Sequence, residues 1–260
     1  MSSEPGEVIL VGAGPGPADL LTLRAVRAIE AAEAILYDAL VGQEVLAMAP
    51  AACLKLQTGK RSGKASLDQE LINQLMLRLA RRGLRVVRLK GGDPSVFARS
   101  GEELAYLERH GIRTEVVPGV TAAAAAAAQF GFPLTHRGEA RRLVLATARV
   151  RDGRMVEDGW GALADPQATL CLYMGRDCAR AAAKQLIGQG LSPSTPALAV
   201  ENAGSPAARL LRSNLGGLGD VVESAGLSGP VLLVIGKSVA RARDPTEESN
   251  DRESRITLFG

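Results

Sequence analysis

Short β-branched runs alternate with helical patterns along almost the whole chain, and this alternation constrains the fold more than any other feature. Val8–Val11 (VILV) reads as a strand that ends in glycines. Leu20–Ala32 (LLTLRAVRAIEAA) has apolar positions at helical spacing, and Ala34–Tyr37 (AILY) reads as a second strand. Ser66–Gln69 (SLDQ) has the form of a capping box, in which a serine oxygen and a glutamine amide satisfy the first free N–H groups of a helix. That helix, about 67–82, places Leu71, Ile72, Leu75 and Leu79 on one face. Arg78, Arg81 and Arg82 fall near its C-terminal end, where the dipole favours cations, and Gly83 stops it. Arg85–Lys90 is a third strand, Glu102–His110 a helix closed by Gly111, and Glu115–Val117 a fourth strand ending at Pro118-Gly119.

Alternation of this kind implies βαβ units and a mostly parallel sheet with helices on its faces. The signal weakens over 131–141 and then restarts. Leu143–Thr147, Thr169–Tyr173, Ala197–Glu201, Arg209–Leu211 and Val231–Ile235 read as strands, with helices such as Ala179–Ile187 between them. The expected architecture is two α/β domains, 1–135 and 136–243. From about Asp244 the chain reads DPTEESNDRES, without a periodic apolar face, and 244–260 is expected to be a mobile polar tail.

Composition narrows the function classes. The net charge of +3 is too small for a dedicated nucleic-acid binder, and no partner of that kind is expected. Of the 31 basic residues 25 are arginine, whose fork suits carboxylates and phosphates. Cys53, Cys171 and Cys178 match neither a disulfide framework nor a zinc spacing, and with only His110 and His136 no metal site is expected. No secretory signal is evident in MSSEPGEVILVGAG, and the alanine run 122–128 is too short and too weakly apolar to span a bilayer. A reducing cytoplasm is the expected setting.

Chemistry is expected beyond the carboxyl ends of the strands, where open α/β sheets bind ligands. Gly12-Ala13-Gly14-Pro15-Gly16 follows the first strand, but its third glycine comes one place early for G-x-G-x-x-G. It is either a tight strand-to-helix turn or a backbone platform that a ligand approaches closely. The stretch Arg88–Glu103 (RLKGGDPSVFARSGEE) combines bare backbone at Gly91-Gly92, a carboxylate at Asp93 and a guanidinium at Arg99. Pro118–Ala122 (PGVTA) adds a hydroxyl at Thr121, which read alone is a helix N-cap.

Together these residues resemble the tetrapyrrole methylase family. The likeness runs from about Val8 to Ser238. It rests on VGAGPGPADLLTLRA, YDALV at Tyr37–Val41, GKRSGK at Gly59–Lys64, RLKGGDPSVFARSGEE, VVPGVTAA at Val116–Ala123, PLTHR at Pro133–Arg137 and LYMG at Leu172–Gly175. The resemblance implies two α/β domains of the class III methyltransferase type, a homodimer, and S-adenosylmethionine as donor in an interdomain cleft, leaving as S-adenosylhomocysteine. The family pattern places the donor against Pro15, Gly91, Gly92, Asp93, Val96, Thr121, Ala122, Met174 and Pro230. The branch most resembled implies transfer of two methyls to uroporphyrinogen III, an octacarboxylate macrocycle, giving precorrin-2 for siroheme, cobalamin or haem d1. Arg99 and Arg137 match arginines facing that acceptor, and Asp38 and Glu102 match nearby acidic positions. Lys60, Arg61 and Lys64 form a loop cluster that could meet carboxylates or simply be solvated.

On this reading Arg99 is a carboxylate clamp, and Asp38 or Glu102 is the base candidate, because arginine is always protonated. The alternatives are a later precorrin methyltransferase and a non-catalytic protein that binds the donor or a tetrapyrrole. The chain also leaves no room before Val8 for the N-terminal module that the fused siroheme enzymes carry. It departs from the family pattern at Pro17, Ser95, Ala98, Ser100 and Thr147-Ala148-Arg149.

Overall fold

A computed structural model describes residues 5–59, 68–147, 150–151, 154–155 and 160–243. The chain divides into two compact units between Ala122 and Ala123.

The first unit is built on five parallel strands: β1 (Glu7–Gly12), β2 (Ala34–Tyr37), β3 (Leu54–Gln57), β4 (Val86–Lys90) and β5 (Arg113–Val117), in the order β3-β2-β4-β1-β5. Its helices are α1 (Leu23–Glu30), α2 (Gln43–Ala47), α3 (Gln69–Arg81) and α4 (Ser100–Arg109). Alternation along the strands divides the core. Ile9, Val11, Ile35, Val87 and Leu89 pack with α1 and α2 residues such as Ile29 and Val45. Val8, Leu10, Ala34, Leu36 and Val86 pack with Ile72, Met76 and Leu77 of α3 and Leu107 of α4. Burial on both faces is why these strands read as continuous apolar runs.

Helix ends follow local chemistry in part. Thr22 caps α1, its hydroxyl accepting the Ala25 N–H at 3.1 Å. Gly83 and Gly111 adopt positive φ just beyond α3 and α4, where a side chain would be strained. The expected capping box of α3 rests on Ser66, which lies outside the described residues; the N-cap is Asp68, without a side-chain cap bond. The Gln69 amide turns inward instead and donates to Asn73 and Glu103. The buried face of α3 therefore includes Asn73, and Leu71 is exposed rather than core.

The second unit begins with α5 (Ala122–Gln129) and contains β6 (Arg142–Thr147), the short pair β7 (Val150–Arg151) and β8 (Arg154–Met155), α6 (Trp160–Leu163), β9 (Ala168–Tyr173), α7 (Ala179–Gly188), β10 (Pro196–Glu201), β11 (Arg209–Asn214), α8 (Leu218–Ser224) and β12 (Val231–Ile235). Its main sheet has the order β11-β10-β12-β9-β6. Only β6–β9 is parallel; β9–β12, β12–β10 and β10–β11 are antiparallel. The expectation of a mostly parallel sheet thus fails here. No helix separates β10 from β11, so they pair as antiparallel neighbours. Leu170, Leu172, Ala197, Ala199, Leu233 and Ile235 meet Ala182, Leu186, Leu218 and Val222 in this unit's core.

Leu107, with none of its surface exposed, anchors α4 to the first sheet. Leu107→Ala is expected to cost about 2–5 kcal/mol through lost burial and the cavity left behind. Leu23→Ala, at a position 76% exposed, should change stability by no more than about 0.5 kcal/mol. Urea unfolding of both variants checks the contrast.

Candidate active site

Because the first sheet is parallel, β1, β2, β4 and β5 all deliver their carboxyl ends to one edge. Three loops fuse there through backbone contacts. Gly14 and Gly92 exchange N–H···O bonds of 3.2 and 2.7 Å, and the Ala13 N–H donates to the Lys90 carbonyl at 2.7 Å. A Cβ on Gly12 would lie 2.6 Å from the Gly119 nitrogen and 2.8 Å from the Gly92 oxygen. Gly12 is glycine because β1, β4 and β5 end in mutual contact. Gly92 is different: its φ of 72° is left-handed, and nothing lies within 4 Å of where its Cβ would point. Its side-chain face is open backbone, as a closely approached ligand requires.

Two carboxylates lock these loops. Asp38 accepts the Gly91 N–H at one oxygen and the Leu40 N–H at the other, both at 3.0 Å. Asp93 accepts the Gly119 N–H at 2.9 Å and the Ser95 N–H at 2.7 Å, and also the Ser95 hydroxyl. Partial burial pushes the Asp93 carboxyl up. The Ser95 hydroxyl and the two backbone N–H groups together outweigh it and hold the group below its ordinary range. Val96 is half-buried, and its N–H closes this turn on the Asp93 carbonyl. Ser95 therefore has a structural partner where the family pattern has phenylalanine. Ser100 likewise donates to the Pro94 carbonyl inside the loop.

Arg99 sits at the N-cap of α4 in the left-handed region, φ 58°. Its guanidinium grips Glu102 with two bonds of 2.8 and 2.7 Å, and both side chains are more than half exposed. The hydrogen bond from Arg99 keeps the Glu102 carboxyl below its ordinary range, which weakens Glu102 as a base. Pro15 is half-buried after the first glycine turn, and Thr121 and Ala122 follow β5 directly.

The chemistry-bearing charges that the sequence did not reveal lie under this edge. Glu103 is fully buried and receives Lys90 at 2.7 Å, Arg88 at 3.1 Å and Gln69 at 3.1 Å. Charged residues in a strand usually read as a solvated face. The one available signal was the break in the apolar run of β4 at Arg88 and Lys90.

The second unit gathers its own candidates at one sheet edge. Met174 follows β9 with φ 55° and is 62% exposed. Pro230 precedes β12, accepts the Asn202 N–H at 3.0 Å and is exposed. Glu201 pins the neighbouring loop by accepting the N–H groups of Ser228 and Gly229 at 2.7 and 2.6 Å. Arg137 is exposed at the tip of a loop closed by paired backbone bonds between His136 and Ala140. Lys60, Arg61 and Lys64, like Ala148-Arg149 and the tail, lie outside the described residues.

Nucleophilic thiol chemistry has no support. All three cysteines are free and buried, and burial pushes the Cys171 thiol up to about 12 and the Cys178 thiol up to about 11. Among the described residues no group of three or more His, Cys, Asp or Glu side chains is placed to hold a metal ion.

A two-unit α/β chain with a glycine-built platform at its parallel strand ends and an Arg–Glu pair beside it defines a class of ligand-binding α/β proteins. Residues 7–219 match the family model of the tetrapyrrole (corrin/porphyrin) methylases. The chain belongs to that family. It is 45% identical over 240 residues to the chloroplastic S-adenosyl-L-methionine-dependent uroporphyrinogen III methyltransferase of Arabidopsis thaliana, covering 90% of this chain and 64% of the relative. It is 43% identical to the uroporphyrinogen-III C-methyltransferase of Paracoccus denitrificans, covering 92% and 83%. The chain spans about half the length of the siroheme synthases it matches, 54% for that of Chromobacterium violaceum. Among solved structures, the Thermus thermophilus uroporphyrin-III C-methyltransferase complexed with S-adenosylhomocysteine superposes with a TM-score of 0.76 at 39% identity, covering 90% of this chain and 93% of that one.

Because the Asp93 carboxyl is depressed in the folded state, its loop tie contributes fully above the unfolded value of about 3.9 and is lost as pH falls through the folded one. Asp93→Ala should therefore cost about 1–2 kcal/mol at pH 7, the modest figure reflecting partial exposure. The difference from wild type should shrink as pH is lowered from 7 into the acid range. Urea midpoints measured across that range give the comparison.

Proposed function

We propose that the protein transfers two methyl groups from S-adenosylmethionine to uroporphyrinogen III, giving precorrin-2, and that it acts as a homodimer in the cytoplasm. One observation carries this reading. A single segment, Lys90–Glu103, joins open backbone at Gly92 to an exposed guanidinium at Arg99. The platform suits a ligand that must approach backbone, and the guanidinium suits an acceptor rich in carboxylates. No helix in the described residues is long and apolar enough to cross a membrane.

The donor, when bound, supplies an electrophilic methyl on a cationic sulfonium. Pro15, Gly91, Gly92, Asp93, Val96, Thr121, Ala122, Met174 and Pro230 are the residues that the family pattern assigns to it. Asp93 contributes negative charge and a rigid turn, and Met174 an exposed apolar surface. Catalysis on an already nucleophilic pyrrole-type carbon then requires alignment and exclusion of water more than activation. Arg99 and Arg137 orient the acceptor through its carboxylates. Lys60 and Arg61 are assigned to the acceptor as well.

Glu102 takes the Nε and Nη2 edge of the Arg99 guanidinium, so an acceptor carboxylate meets its Nη1 side or exchanges with Glu102. That pair weakens Glu102 as a base. Asp38, the other base candidate for the macrocycle's departing proton, would have to give up a backbone N–H bond to receive it.

Anaerobic incubation with methyl-labelled S-adenosylmethionine and uroporphyrinogen III, followed by mass analysis of the tetrapyrrole, tests the activity. Two labelled methyls are expected. A single methyl would mean that the loop changes at Ser95, Ala98 and Ser100 alter the second transfer. No transfer with donor binding intact would favour a later precorrin acceptor or a binding role. Arg99→Lys, which removes the fork, is expected to lower kcat/KM for the acceptor by about tenfold. Unchanged turnover and acceptor affinity in that variant would remove Arg99 from the site.

A further inference from the structure

The cluster around Glu103 does not close electrically. Arg88 and Lys90 bring two cations to one carboxylate, and all three side chains are buried. Arg88 is otherwise satisfied: besides Glu103 it donates to the carbonyls of Leu36 and Leu89 at 3.3 and 3.2 Å. Arg88 and Gln69 both donate to Oε1 of Glu103, and Lys90 is the donor to Oε2. One buried cation is thus in excess of the charge of the carboxylate, and Lys90 is the one that depends on Glu103 alone for a partner. Burying an ammonium without a counter-charge of its own is costly, so its retention at this point calls for a reason.

The position of Lys90 supplies one. It is the last residue of β4, and Gly91 follows it directly. Its carbonyl accepts from Ala13, and the next N–H, that of Gly91, is held by Asp38. Its ammonium reaches into the first turn of α4, where Glu103 adjoins Glu102, the partner of Arg99. One side chain therefore spans from the backbone platform to the helix that carries the guanidinium.

We infer that Lys90 is a positioning residue of this site, its buried ammonium fixing the Asp38-locked platform at Gly91 against the helix turn that presents Arg99. The electrostatics agree. Burial first, and then the Arg88 guanidinium, pull the ammonium below its ordinary range, while Glu103 and, further off, Asp38 push it back. Lys90 in turn contributes to keeping Glu102 ionised. Lys90 touches neither reacting group; it acts through Asp38, Glu102 and Glu103.

This role rests on the proposed methyl transfer for its kinetic consequence but not for its structural one, and Lys90→Met separates them. A residue kept only for stability would lower activity no more than an equally destabilising change elsewhere. Lys90→Met leaves Oε2 of the buried Glu103 without its donor, so its thermal midpoint should fall, and Leu186→Ala, at a fully buried site of the second unit, serves as the destabilised control. The kcat of Lys90→Met should fall by about 10–100-fold, the scale of a displacement on the order of 1 Å in an aligned site. Amide hydrogen exchange at Gly91 should accelerate by about tenfold more than in the control as the platform loosens. Lys90→Gln, which retains a donor to Glu103, should fall between wild type and Lys90→Met and serves if Lys90→Met fails to fold. Gly91 exchange no faster than in Leu186→Ala, or a loss of kcat no greater than in that control, would overturn the assignment. Faster Gly91 exchange in a protein whose wild type transfers no methyl to uroporphyrinogen III would overturn the acceptor and leave the role of Lys90 standing.

Discussion

The close approach of β1, β4 and β5 at their carboxyl ends is the constraint on which the candidate site depends. It is possible because Gly12 and Gly119 present no side chain where the three loops meet. Once the backbones are that near, Gly14 and Gly92 exchange their hydrogen bonds, and Asp93 reaches across to the Gly119 N–H. Asp38 does the same for Gly91 from the neighbouring strand end. The loops are locked by backbone donors and carboxylate acceptors. The tie made by Asp93 correspondingly depends on its ionised state.

The two units solve the problem of burying a five-stranded sheet differently. The first covers both faces with helices, and its inner strands carry apolar residues on both sides. The second joins β10 to β11 without a helix and inserts β12 between β10 and β9. Its predicted strands correspond closely to the observed ones, with Val231–Ile235 identical in extent. Strand direction was the part that could not be read. Alternating strand and helix patterns look alike whether a connection crosses over or turns back, and only the contacts between strands decide it.

Legibility in the sequence followed side-chain chemistry. Glycines at helix ends and the GGDP turn were visible because each rests on residues close in the chain; that Arg99 grips Glu102 was not read, since both were assigned to the acceptor. The edge strand β3 was missed: it has four residues, mostly exposed, and its Leu-Lys-Leu-Gln alternation is too short to announce it. The inward turn of Gln69 was not legible because its acceptor, the buried Glu103, lies on another helix. The buried charges of β4 were invisible for the same reason. Arg88 and Lys90 are compatible with burial only because Glu103, on the following helix, is buried with them. No local pattern carries that information.

The departures from the family pattern at Ser95 and Ser100 take on a different meaning in this light. Both hydroxyls bond within the loop, to Asp93 and to the Pro94 carbonyl, and neither touches the glycine platform. The platform consists of main-chain atoms tied by Asp38 and Asp93, and the two serine hydroxyls bond beyond it. The loop is thereby modular: its glycine half is fixed by backbone geometry and those ties, while its outer half varies in shape and polarity. Sequence change can accumulate on one side of Asp93 without disturbing the backbone contacts on the other.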